Sequence, residues 1–156
     1  MQFPYTVFSL AKGDERFRLA ATSIDEGTEA TKPYGILSAC FSVELSIPGI
    51  QAQFSADVTL NSLFSFYRQL ARCYDALAGE ALLESYTAST GTMMEVCFDA
   101  SNGHVEIEGL FGIRGTKSKV GFGWTLDQTH IKPQLSVLKH FFDELAAIQG
   151  FYDFPY

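Results

Sequence analysis

The sequence predicts an α+β fold, in which a curved antiparallel β-sheet built from hairpins has two amphipathic helices packed on one face. Alternating apolar and polar residues occur in several short segments separated by turn residues, which is typical of antiparallel strands. Two longer segments instead place apolar residues every three or four positions, which is typical of helices with one buried side. Because the strands come in consecutive runs, the pattern differs from the βαβ alternation of a parallel sheet.

Four predicted strands precede the first helix. They cover residues 5–10, 16–24, 36–47 and 50–58. Pro48 and Gly49 separate the last two strands, and this dipeptide is typical of a tight turn. The alternating segments on both sides of it therefore predict a hairpin.

The first helix is predicted from Leu60 to Leu77, where apolar residues recur at helical spacing. We expect Thr59 or Asn61 to cap its beginning, because short oxygen-bearing side chains accept hydrogen bonds from the first free backbone N–H groups. We expect Gly79 to end it, since glycine adopts the left-handed conformation that commonly follows a helix.

The second half repeats the preference for strands and ends with another helix. Its predicted strands cover residues 81–87, 92–100, 104–111 and 119–126. The last helix is predicted to follow Pro133, which is tolerated in a first turn, and to end at Gly150. We find no internal sequence repeat, linker or low-complexity segment, so residues 1–156 are predicted to form a single domain.

The central hairpin of this half is the most informative segment. Asn102-Gly103 is typical of a type I′ turn, which needs positive φ at both central positions. Such a turn fixes the register of the strands, so that Asp99 faces Glu106 and Cys97 faces Glu108. Glu95 lies farther along the same face, and no Lys or Arg occurs from Gly79 to Ile113. An acidic face of this kind is a candidate surface for a cationic partner.

Composition narrows the function classes. The chain of 156 residues has 47% apolar residues, 14 Phe and 7 Tyr, which is enough for one core. Its formal net charge is −7 and its pI is near 4.8. Nucleic acids and anionic membranes are bound through clustered Lys and Arg, so neither is expected as a partner. Basic proteins and cations are the partners that this charge favours.

The cysteines and the N-terminal residues predict a cytoplasmic protein. Cys40, Cys73 and Cys97 are an odd number without the spacing of a zinc site, which is typical of reduced thiols. No segment has the features of a secretory signal or the roughly 20 apolar residues of a membrane span. Neither secretion nor membrane insertion is expected.

Catalytic and cofactor motifs are not found in the sequence. There is no GxSxG or HExxH motif, and His104, His130 and His140 lack metal-ligand spacing. The glycine-rich segment 112–118 contains Lys117 and Ser118, but a phosphate-binding loop needs Gly directly before the Lys and a helix after it. We therefore predict a hairpin loop at Gly115–Ser118, and no catalytic residue, cofactor or metal site.

The acidic hairpin has three interpretations. It is a solvated sheet face that keeps the protein soluble, or a divalent-cation site, or a docking face for a basic protein. The cation site would use Asp99, Glu106 and Glu108, although the spacing of a known calcium loop is missing. In the docking interpretation, Tyr86, Phe111 or the aromatic residues 151–156 are the candidate apolar anchors.

Three short segments resemble a known family. They are Leu77-Ala78-Gly79-Glu80-Ala81, Asn102-Gly103-His104-Val105-Glu106-Ile107, and Gly123-Trp124-Thr125-Leu126-Asp127-Gln128-Thr129-His130. Their order resembles the WapI-like family of small bacterial proteins, which contains immunity proteins of contact-dependent toxins, over roughly residues 58–148. The resemblance implies an intracellular protein that binds a cognate toxin domain, often a basic nuclease. It brings no catalytic set, and we expect Asp127 and Thr129 only to cap the turn before the last helix.

Together these observations predict a non-enzymatic immunity protein that binds and neutralises a basic toxin domain. Its predicted partner-binding residues are Glu84, Glu95, Asp99, Glu106 and Glu108. The alternative, from another class, is a small-ligand or divalent-cation-binding module that uses the same carboxylates or a pocket between helix and sheet. An enzyme ranks third, because no Cys, His or carboxylate stands out as its catalytic residue. The sequence does not predict the oligomeric state.

Overall fold

The part of the chain that the structure describes runs through four strands and a helix, and then through four strands and a helix again. The computed structural model describes residues 1–25 and 38–147. The first half contains β1 (Tyr5–Lys12), β2 (Glu15–Asp25), β3 (Ser38–Ile47), β4 (Ile50–Thr59) and α1 (Leu60–Ala76). The second half contains β5 (Ala78–Thr87), β6 (Thr92–Ser101), β7 (His104–Ile113), β8 (Lys119–Asp127) and α2 (Ile131–Ala147).

The strands form two antiparallel sheets, each with its four strands in sequence order. The predicted α+β class, the hairpins and the two helices are confirmed. The strands divide into two sheets because α1 separates β4 from β5, which contact each other at one end without pairing backbone to backbone. There the Asp57 N–H donates to Thr87 Oγ1 at 3.1 Å, and the Ser85 hydroxyl donates to the Asp57 carbonyl oxygen at 2.5 Å. Residues 36 and 37 of the predicted third strand lie outside the described residues.

The architecture repeats although the sequence shows no repeat. Each half is a four-stranded meander followed by a helix of 17 residues. Each helix reaches across to the first strand of the other half, since Gln69 of α1 accepts a hydrogen bond from the Leu82 N–H of β5 at 2.9 Å. In the same way Gln134 of α2 accepts one from the Ser9 N–H of β1 at 2.8 Å. The helices therefore bind the two halves together.

One core lies between the inner faces of the two sheets and the helices. Phe8 of β1 packs edge-on against Phe98 of β6 at 5.5 Å, and Phe54 of β4 lies 4.5 Å from Phe111 of β7. Phe66 of α1 contacts both Phe8 and Phe98. Every described strand and both helices contribute buried side chains to this single apolar cluster. The outer sheet faces are left for polar residues, as the period-2 alternation predicts.

The ends of α1 show which predicted caps form. Thr59 is the N-cap, and its hydroxyl oxygen accepts from the Ser62 N–H at 3.1 Å. The prediction that Gly79 ends the helix is wrong, because Leu77 already adopts the left-handed conformation with φ of 56°. The chain then enters β5 directly, with Gly79 inside the strand.

The segment before α2 confirms the predicted turn. The Asp127 carboxylate accepts from the Thr129 N–H at 2.9 Å, so Asp127 is the predicted cap. Pro133 lies in the first turn of α2, which begins at Ile131. The predicted end at Gly150 lies outside the described residues. Among the described residues, neither helix combines the length and the apolar character that crossing a membrane requires.

Candidate protein-binding face

The predicted hairpin and its register are confirmed. Asn102 and Gly103 have φ of 52° and 83°, the positive values of a type I′ turn. Asp99 pairs with Glu106 and Cys97 pairs with Glu108 across β6 and β7. The side chains of the even-numbered residues Val96, Phe98 and Ala100 point into the core. The carboxylates of the hairpin therefore all lie on the outer face.

The neighbouring strand β5 adds further acids to this face. Glu80 pairs with Asp99, and Glu84 pairs with Glu95. We call the outer surface formed by the following exposed carboxylates the acidic face: Glu80, Glu84, Glu95, Asp99, Glu106 and Glu108. The structure thus brings the five predicted partner-binding residues together on one sheet and adds Glu80 to them.

None of these carboxylates forms an ion pair within the part of the chain that the structure describes. Its ion pairs lie elsewhere, between Arg18 and Glu44, between Lys139 and Asp143, and around Glu144. Three acids in one row, Glu80, Asp99 and Glu106, face each other across successive strands. Like charges in such positions destabilise a sheet. The acidic face therefore has a negative potential that a cationic partner would relieve.

Cys97 lies in the middle of the acidic face and responds to its charge. Burial and the surrounding carboxylates, led by Glu80, Asp99 and Glu108, raise the pKa of the Cys97 thiol. Neighbouring negative charges disfavour the thiolate in the same way that they would favour a bound cation. The thiol is half-buried and free, so its reactivity reports the potential of this face.

Apolar side chains lie among the carboxylates. Leu82 pairs with Cys97 and is 37% exposed, and Tyr86 pairs with Met93 and is 50% exposed. The guanidinium of Arg114 lies 5.4 Å from the centre of the Tyr86 ring, at the border of the acidic face. Exposed tyrosines surrounded by charges are typical of the anchor positions of protein interfaces.

Of the three predicted anchors, the structure supports one. Tyr86 is exposed at the end of the acidic face. Phe111 is only 4% exposed and packs in the core against Phe54 and Phe122, so its predicted role as an anchor is wrong. Its side chain points inward because Phe111 pairs with Met94, another inward residue. The aromatic residues 151–156 lie outside the described residues.

Depressions occur at both ends of this sheet. One of about 410 Å³ is lined by Glu84, Tyr86, Met93, Glu95 and Arg114. Another of about 420 Å³ lies beside Lys12, His104, Asp127 and His130. Both are open grooves at the surface.

The structure also shows the residues on which the predictions about a metal site, a phosphate-binding loop and the histidines depend. Within residues 1–25 and 38–147, no three His, Cys, Asp or Glu side chains are close enough to hold a metal ion. The glycine-rich segment forms the predicted hairpin loop between Ile113 and Lys119, where the Ile113 N–H donates to the Ser118 carbonyl oxygen at 3.1 Å. His140 pairs with Glu144 on the surface of α2 at 3.0 Å.

Sequence reasoning missed two features of this region. Glu80 faces Asp99 because residues 88–91 connect β5 to β6 in a register that places the two acids opposite each other. These four residues contain no turn motif from which that register could be predicted. Gln128 is 5% exposed, and its side-chain amide donates to the Tyr74 carbonyl oxygen at the end of α1 at 2.8 Å. A polar residue between two predicted elements gave no signal of this contact.

No protein-family model matches the sequence, and no curated protein matches it either. The resemblance to the WapI-like family therefore stays a prediction.

Proposed function

We propose that this protein is an immunity-type protein that binds and neutralises a basic toxin domain through the acidic face. The observation that carries the proposal is the set of six exposed carboxylates without an ion pair in the described residues. A basic protein surface would replace the repulsion among these groups by attraction. It would also be steered to the face, because complementary potentials speed association.

Three further observations support this proposal. Leu82 and Tyr86 supply exposed apolar area next to the charges, which a protein interface requires and a simple solvated face does not. The net charge of −7 opposes binding to nucleic acid, whereas it favours a toxin whose own substrate is an anion. The cysteines at 40, 73 and 97 are free, as expected in the reducing cytoplasm, where an immunity protein would meet its toxin.

The mechanism follows from the geometry of a rigid sheet. The carboxylates lie on β5, β6 and β7, whose inner faces are packed into the core, so their positions are fixed before binding. A preorganised surface loses little conformational entropy on association. Bound over the basic substrate site of a toxin, it would occupy the site by charge and by shape, and no chemical step is needed.

The test is capture of a partner from native lysate by the tagged protein, together with direct binding to the product of the neighbouring upstream gene. The proposal expects a basic protein that binds at low salt and is released at high salt. The double variant Asp99→Lys, Glu106→Lys should lose this partner. The matched control Asp14→Lys, Glu15→Lys changes the net charge by the same amount at the first hairpin and should retain it. Equal capture by both variants would exclude the acidic face.

The cation-binding alternative has its own measurement. Calcium or magnesium would raise the melting temperature of the wild type, and the rise would vanish in Asp99→Asn, if the carboxylates held a metal ion. The proposal expects no such metal-dependent shift beyond the general effect of ionic strength, which potassium chloride reproduces.

A further inference from the structure

The outer edge of β8 offers unpaired backbone groups. The Gln128 N–H donates to the Gly103 carbonyl oxygen at 3.0 Å, which fixes the alternation of bonded pairs between β7 and β8. Counting from this bond, the backbone groups of Lys119, Gly121 and Gly123 point away from β7. All three residues are exposed, and among the described residues nothing hydrogen-bonds to them on that side.

Each of the other three edge strands has a backbone N–H in its middle or at its helix-facing end that a side chain of a neighbouring element binds. Gln134 accepts from the N–H of Ser9 on β1, and Gln69 accepts from the N–H of Leu82 on β5. Thr87 accepts from the N–H of Asp57 on β4. On β8 the corresponding contact is at the far end, where the Lys12 ammonium donates to the Thr125 carbonyl oxygen at 2.6 Å. An open strand edge is a template for pairing with another chain.

Glycines make this edge continuous with the acidic face. Gly123 pairs with Glu108 and Gly121 pairs with Leu110, so no side chain of β8 stands between the edge and these residues. A Cβ at Gly121 would meet nothing closer than the Gly109 carbonyl oxygen at 3.9 Å, so packing does not require glycine at this position. A strand added to β8 would lie about 9.6 Å from β7, twice the usual strand spacing. A Lys or Arg on it can reach across Gly123 to Glu108.

We propose that β8 accepts an extended segment of a cationic protein as a fifth strand of the sheet. Backbone hydrogen bonds to Lys119, Gly121 and Gly123 hold the segment, and its Lys or Arg side chains lie across the glycines toward Glu108. This inference rests on the proposed function, because it names the part of the partner that the acidic face recognises. Strand addition of this kind gives affinity through the backbone and specificity through alternate side chains.

The test compares two proline variants. Gly121→Pro removes an N–H that points to solvent and places the ring at the edge, so the ladder to β7 is kept. Gln53→Pro is the matched control on β4, where the Gln53 N–H also points away from its neighbour strand, and the carboxylate opposite it, Glu44, is already paired with Arg18 at 3.1 Å. Gly121→Thr is the second variant, which favours strand structure but obstructs the path across the edge.

The probe is an acetylated and amidated nine-residue peptide of alternating Lys and Val, and the readout is fluorescence anisotropy with backbone amide NMR. The proposal expects binding to the wild type with shifts at Gly121 and Gly123, at least about tenfold weaker binding to Gly121→Pro, and unchanged binding to Gln53→Pro. A Lys/Pro peptide of equal charge, which cannot pair as a strand, should bind more weakly. A thermal melting curve establishes that the Gly121→Thr variant is folded. We expect this variant, too, to bind the Lys/Val peptide more weakly than the wild type does.

Other outcomes overturn the inference in distinguishable ways. Equal binding to Gly121→Pro and Gln53→Pro, or no binding to the wild type, excludes strand addition at β8. The capture experiment with the double variant Asp99→Lys, Glu106→Lys separates this inference from the proposed function. If strand addition fails but the double variant still loses the basic protein, the proposed function survives. If strand addition fails and the double variant captures the basic protein as well as the wild type does, the inference and the proposed function both fail. A concentration-dependent dimer in analytical ultracentrifugation that Gly121→Pro abolishes would assign the edge to a second copy of this chain instead.

Discussion

Neutralising Asp99 should stabilise the folded protein, and more so than neutralising Glu106. Asp99 lies between Glu80 on β5 and Glu106 on β7, so Asp99→Asn removes two like-charge contacts. Glu106→Gln removes one, since its other neighbour across the sheet is Thr125. Glu108→Gln is the matched control, because Glu108 faces Cys97 and Gly123 and has no carboxylate directly opposite.

The magnitude follows from the spacing of paired residues. Side chains directly opposite in a sheet are about 5 Å apart, where two unit charges in water repel by about 0.8 kcal/mol. We expect the free energy of unfolding to rise by about 0.8 kcal/mol in Glu106→Gln and by about 1.6 kcal/mol in Asp99→Asn. For Glu108→Gln the change should stay within about 0.5 kcal/mol, as for ordinary surface substitutions.

The assay is urea unfolding followed by circular dichroism, at low ionic strength and again at about 0.5 M NaCl, where the Debye length is only about 4 Å. The gains should shrink at high salt, since exposed charges are then screened. Loss of stability in Asp99→Asn, or an equal gain in all three variants, would refute the reasoning that cross-strand repulsion dominates on this face.

Three further predictions concern other residues. In a Cys40→Ser background, iodoacetamide should alkylate Cys97 faster at neutral pH when Glu108 is changed to Gln, because removing this carboxylate lowers the raised pKa of the Cys97 thiol. An unchanged rate would mean that burial alone raises this pKa. Gln128→Ala should cost about 1–3 kcal/mol in urea unfolding, because the end of α1 loses a buried hydrogen bond to the Tyr74 carbonyl oxygen, and a neutral result would discount that contact. The hydrogen bond from the Thr129 N–H lowers the pKa of the Asp127 carboxyl in the folded protein below its value in the unfolded chain. The ionised carboxylate therefore contributes its full stabilisation at pH values above the pKa of the unfolded chain. This stabilisation is lost as the pH falls through the lower pKa of the folded protein. The stability difference between wild type and Asp127→Ala should accordingly shrink on acidification, and a difference that is constant down to about pH 2 contradicts the cap.

Much of the fold could be predicted because local rules determine it. The Asn102-Gly103 turn admits one register, so the pairings of Asp99 with Glu106 and Cys97 with Glu108 followed from the turn. Period-2 and helical patterns placed the eight strands and two helices of the described residues. Alternation also assigned the carboxylates of the hairpin to the outer face, since the inner positions hold large apolar residues.

The rest depends on contacts between residues far apart in sequence. The separation into two sheets arises because α1 carries the chain away from β4, and no local pattern states whether β4 and β5 then pair. The contact of Gln128 with Tyr74 spans 54 residues, and that of Gln134 with Ser9 spans 125. The hairpin register already turns Phe111 inward, but its packing partner Phe54 comes from the other sheet and could not be predicted.

The measurement that tests the central claim most directly is the association rate of the captured basic partner as a function of salt. With the wild type we expect fast association that slows steeply as ionic strength rises. The variant Asp99→Lys, Glu106→Lys should associate about tenfold more slowly at low salt and show a weaker salt dependence, whereas Asp14→Lys, Glu15→Lys should stay close to the wild type. Unchanged kinetics in the first variant would contradict binding through the acidic face.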